Sequence, residues 1–136
     1  MLRPRGLGRV AVGMDLAQAT EAAGYPLKAL GGPDAGSPCQ YYRPQGAPDG
    51  IAFMVVDGQV ARTDIIASPV ATEAGASIGQ TEAEAQRQYG GRLAVTNHHY
   101  TEGGHYLTLV PEGAADAGFR LVLETDGTTV TSMRAG

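Results

Sequence analysis

The sequence predicts an α+β fold of two tandem repeats, each a short capped helix followed by an antiparallel three-strand meander. The first observation behind this is a repeat. Residues 12–27 (VGMDLAQATEAAGYPL) return 66 positions later as residues 78–93 (IGQTEAEAQRQYGGRL), with five of sixteen pairs identical. A repeat of this kind marks one structural unit built twice. The second is a switch of hydrophobic period, from helical before each repeat's glycine to alternating after it. The third is a pair of Asp-Gly dipeptides, Asp57-Gly58 and Asp126-Gly127, each between two such alternating runs. Asp-Gly is a strong signal for a tight hairpin. The halves divide as residues 1–68 and 69–136, packed together as one unit.

Each element has its own local cause. Residues 1–9 read as a loose lead-in, and 9–12 as a brief edge strand. Asp15 and Thr81 are good N-cap residues, and Gln18 and Glu84 stand three positions on, completing a capping box in each copy. Alanine, glutamate and glutamine fill the interiors, and Gly24 and Gly90 stand where glycine ends a helix cheaply. The helices are therefore expected over 16–23 and 82–89. At about two turns each they need support from the strands that follow.

Glycine, proline and aspartate make 31–38 (GGPDAGSP) a turn-rich loop. Residues 39–43, 51–56 and 60–66 then read as the strands of the first meander. In 51–56 (IAFMVV) Ile51, Phe53 and Val55 share one face, and Ala52, Met54 and Val56 the other. Both faces are apolar, which suits burial between the halves or beneath a partner. In the second half, 93–96 starts a strand, and 105–110, 119–124 and 129–133 form the meander. Phe119, Leu121 and Leu123 alternate there with Arg120, Val122 and Glu124.

Composition narrows the function classes. A net charge of −4, with basic residues scattered apart from Arg3, Arg5 and Arg9, argues against nucleic-acid binding. No apolar run approaches the about 18 residues of a membrane span. The first residues (MLRPRGLG) lack the apolar core of a signal peptide. Cys39 is the only cysteine, so no internal disulfide forms; it reads as a half-buried inert thiol or as one that pairs between chains.

The cassette VGM-D-x-x-x-A ending in G-x-P-L, followed by a meander with a DG hairpin, resembles the repeat unit of beta-lactamase-inhibitor-protein-like domains. It is also similar to the SmpA/OmlA (BamE-like) outer-membrane lipoprotein module. The tandem arrangement looks more like the inhibitor family. The resemblance implies a noncatalytic, periplasmic or secreted bacterial protein that binds another protein through an exposed sheet face and hairpin loops, with no cofactor. No inhibitory loop residue carries over; the two DG hairpins match in position only.

The one polar-aromatic cluster runs from Asn97 to Tyr106, and all three histidines lie in it. Alternation puts His99 on one strand face and His98 and Tyr100 on the other. With a turn at Glu102-Gly103-Gly104, His99 and His105 approach across a hairpin. As a recognition patch, His and Tyr supply polar-tipped contact area. The expected binding surface is Tyr41, Tyr42, His99, Tyr100, His105 and Tyr106. The alternative is a metal-dependent or histidine-based enzyme, with His98, His99, His105 and Glu102 as weak ligand candidates for zinc or another divalent ion; their spacing matches no zinc signature. A third class is a structural envelope component. No dinucleotide, Walker or G-x-S-x-G motif is present. Asp15, Glu73, Glu82 and Glu84 at helix starts are explained by the helix dipole. The partner expected is another protein, and a homo-oligomer is compatible with the chain.

Overall fold

A computed structural model describes residues 2–29, 39–47, 49–67, 70–98, 102–109 and 119–136. It corrects the expected fold class. Eleven strands and two short helices are described, so the protein is mainly β. The strands do not form two three-strand meanders. They make one continuous eight-stranded antiparallel sheet and a separate three-stranded one.

The helices form where their caps require. Helix α1 (Leu16–Ala23) starts at Asp15, whose side chain accepts from the Gln18 amide while the Gln18 side chain accepts from the Asp15 amide, the full box. It ends at Gly24 in the left-handed conformation, φ 74°. Helix α2 (Glu82–Gln88) starts at Thr81, which accepts from the Glu84 amide at 3.2 Å. The Glu84 side chain meets the Thr81 hydroxyl instead of returning to the backbone.

Strands β1 (Leu2–Arg3), β2 (Gly6–Leu7) and β3 (Val10–Ala11) make the small sheet. This corrects the loose lead-in: Leu2 is fully buried, its amide donates to the Ala71 carbonyl at 2.9 Å, and its carbonyl accepts from the Glu73 amide at 3.1 Å. The start of the chain is thus pinned to the segment that links the halves, a contact with no local signature.

The large sheet follows the order β4 (Leu27–Ala29), β5 (Cys39–Pro44), β6 (Ile51–Val56), β7 (Gln59–Ile65), β11 (Val130–Ala135), β10 (Leu121–Thr125), β9 (His105–Leu109), β8 (Leu93–Asn97). Strand β4 is the strand the three-strand count lacks in the first half. Its sequence, LKA, has too little alternation to announce itself and is held by pairing Leu27 with Pro44 and Ala29 with Tyr42. The Asp57-Gly58 turn joins β6 to β7 with both residues at positive φ, 50° and 79°, the type I′ geometry its sequence favours. Strands β7 and β11 pair through Ile65–Met133, Asp64–Arg134 and Thr63–Ala135, which fuses the two halves into one sheet. The expected boundary at residues 68 and 69 lies outside the described residues.

One sheet face is the core. Phe53, Val60, Ile65, Leu107, Leu121, Leu123, Val130 and Met133 are buried there with Ala19 of α1 and Ala85 of α2. The opposite face is left open by the described residues, with Ala52, Met54 and Val56 half-buried on it.

Gly24 tests the helix boundary. A Cβ there meets nothing within 4 Å, so the cost of Gly24→Ala is that of the left-handed backbone alone. The substitution lowers unfolding free energy by about 1 kcal/mol in a denaturant titration. A neutral result means that α1 does not end there.

Candidate functional site: the open face of the sheet

Residues of β7 and β11 that alternate with the core point to the open face, and there they form an ordered polar patch. Arg62 on β7 makes a two-pronged contact with Asp64, two residues along the same strand, at 2.7 Å and 3.0 Å. Its guanidinium also donates to the Tyr41 hydroxyl from β5 at 2.9 Å. Burial works to lower the Arg62 pKa, but the Asp64 hydrogen bond and charge outweigh it and leave the group more firmly protonated than usual. Beside it, Ile66 is 66% exposed, a large apolar side chain held out in water.

Across the β7–β11 junction lies a second group. Glu124 on β10 accepts from the Ser132 hydroxyl of β11 at 2.6 Å and meets His98 Nε2 at 2.9 Å. Burial pushes the Glu124 carboxyl up. The hydrogen bonds from Ser132 and His98 and the charge of Arg134 more than reverse this, so it ionises more readily than an ordinary glutamate. The Tyr106 ring stacks on His98, centroids 4.4 Å apart, and the Arg134 guanidinium sits 5.5 Å from the Tyr106 ring centroid. The cleft between the two groups, lined by Arg62, Asp64, Ile66, Glu124, Ser132 and Arg134, measures ≈ 60 Å³. Small-molecule sites run to about 300 Å³ or more. This is a textured surface, not a ligand pocket.

The expected surface residues scatter. Tyr41 and Tyr106 lie on the open face. Tyr42 pairs with Phe53 on the other side and packs against the core. His105 also turns to the helix side, where its Nδ1 meets Glu82 Oε1 of α2 at 2.7 Å. The Thr125 hydroxyl donates to the same carboxylate oxygen, so this cluster ties the first turn of α2 to the sheet. His99 and Tyr100 lie outside the described residues.

The weak metal set is not drawn together. His98 and His105 engage separate carboxylates on opposite faces, Glu102 is exposed in the turn, and His99 is not described. Among the described residues, no three His, Cys, Asp or Glu side chains are grouped to hold an ion. The Ser132–Glu124–His98 chain also differs from a hydrolytic triad. There the imidazole takes the serine proton, whereas here the hydroxyl donates to the carboxylate. Arg62, Asp64, Glu124 and Arg134 went unnoticed as site residues. Their signal was polar residues at alternate positions of otherwise apolar strands, on the face away from the core.

No protein family and no curated protein matches the chain. Among solved structures, it is similar to the uncharacterized protein yfeY from Escherichia coli, with a TM-score of 0.61 and 14% sequence identity over 98% of this chain and 97% of that one. The likeness is one of fold. It says nothing of activity.

The Glu124 cluster carries a pH prediction. Its folded pKa lies below the ordinary 4.5. The stability it contributes is therefore complete above that value and is lost as pH falls through the folded pKa. The stability gap between wild type and Glu124→Gln is widest near neutrality and narrows as pH drops below 4.5. A gap that stays constant on acidification would mean that the ionised carboxylate is not what Ser132 and His98 stabilise.

Proposed function

We propose that the protein is a noncatalytic module that binds another protein through the open face of its large sheet. The observation that carries this is the patch at the β7–β11 junction, where Tyr41, Arg62, Ile66 and Tyr106 are exposed or half-exposed and three of them are already fixed by their neighbours. Tyr and Arg are the side chains most often found to dominate interface energy. Ordering a long side chain on binding costs about 0.5–1.5 kcal/mol. Arg62, held by Asp64 and Tyr41 in the unbound chain, avoids much of that cost. The apolar Ile66 beside it supplies area to bury. The resemblance to inhibitor-like domains supports the same mode, and an exported or envelope location belongs to the proposal on that ground.

A partner recovered by cross-linking from the native host's envelope fraction gives the assay. Arg62→Ala weakens its binding by about 2 kcal/mol, roughly 30-fold, and Ile66→Ala acts in the same direction. Glu21→Ala, on the exposed side of α1, leaves affinity unchanged and serves as the control. Equal affinity for wild type and Arg62→Ala would put the contact on another surface.

A further inference from the structure

Strand β8 ends the large sheet, and its outer side has the form of a pairing edge. The His98 amide donates to the Gly104 carbonyl at 3.0 Å. In an antiparallel ladder the residues that bond to the neighbour alternate. Thr96 and Ala94 therefore bond inward to Tyr106 and Thr108, and the N–H and C=O of Val95 and Asn97 point away from the sheet. No hydrogen bond among the described residues reaches those outward groups. The run is closed at its start, because the Gln86 side-chain amide of α2 donates to the Leu93 carbonyl at 3.1 Å.

Exposed edges are ordinarily blunted by charge, proline or a bulge. The sequence LAVTN has no charge and no proline, its register with β9 is unbroken, and Val95 is 50% exposed. The opposite edge, β4, differs: its central residue is Lys28, and two copies meeting there would bring like charges together.

We propose that β8 pairs antiparallel with β8 of a second copy, about a two-fold axis at Thr96, so that the sheet continues through the dimer. In this register Val95 of each copy lies opposite Asn97 of the other and exchanges both backbone hydrogen bonds with it. All the outward groups of residues 95–97 are thereby used, and the Leu93 carbonyl already held by Gln86 is not needed. Thr96 meets Thr96 of the second copy, a favourable cross-strand pair. The interface is isologous, as a two-fold requires. It leaves the open-face patch at β7 and β11 clear and presents it twice.

Sedimentation velocity of the full chain tests this. Wild type sediments as a dimer. Asn97→Pro removes an outward donor without breaking a bond to β9, so it sediments as a monomer with an unchanged circular dichroism spectrum. In a Cys39→Ser background, Thr96→Cys meets its own copy at a non-hydrogen-bonded pair, Cα atoms about 4.5 Å apart, and oxidises to a covalent dimer. Ala94→Cys, which faces His98 of the second copy, does not. A wild-type chain that stays monomeric at its solubility limit overturns the proposal, as does a folded Asn97→Pro that remains dimeric. Thr96→Cys that fails to cross-link, or Ala94→Cys that cross-links as readily, overturns it too. The cysteine pair decides the matter if Asn97→Pro does not fold.

Discussion

The pairing of β7 with β11 is the contact on which the rest of the molecule depends. It is short, three residue pairs long, yet both faces of the sheet are made across it. On the core side Ile65, Met133, Thr63 and Ala135 are buried almost completely. On the other side Asp64 stands directly opposite Arg134. Without this junction each half would be a four-stranded sheet with an additional unpaired edge, and open edges invite unwanted pairing. Among the described residues, joining the halves leaves only β4 and β8 as edges of the large sheet.

The same junction explains the character of the candidate site. Arg62, Asp64 and Tyr41 come from the first half, and Glu124, Ser132, Arg134, Tyr106 and His98 from the second. Neither group could form the whole patch alone. Apart from His98, just beyond β8, these side chains stand on strands of the sheet and are fixed by contacts with one another. Such preorganisation lowers the cost of association. Two carboxylates serve as anchors there: Glu124 fastens His98 to the open face and Glu82 ties His105 to α2.

Local chemistry was legible in the sequence, and long-range pairing was not. Asp15 with Gln18, Thr81, Gly24 and the Asp57-Gly58 turn act through neighbours a few residues away, so their roles could be read directly. Strand β4 was missed because LKA becomes a strand only by pairing with β5. Leu2 was missed because its partners, Ala71 and Glu73, lie far along the chain. The three-pair junction has no signature of its own, so the halves were expected as separate meanders. The site followed the same rule. Tyr41 was found as an exposed aromatic, but the link between His98 and Glu124 spans 26 residues and cannot be seen from spacing. Tyr42 and His105 were assigned to the surface because alternation gives two faces without saying which one is the core.

Differential scanning calorimetry tests the continuous sheet most directly. A chain whose halves are fused through β7 and β11 unfolds in one transition in which both halves melt together. Met133→Ala, which opens a cavity in the core at the junction, shifts that whole transition downward and leaves it single. Two resolved transitions in the wild-type chain, or a Met133→Ala variant in which one half melts early and the other keeps its original midpoint, would contradict the account.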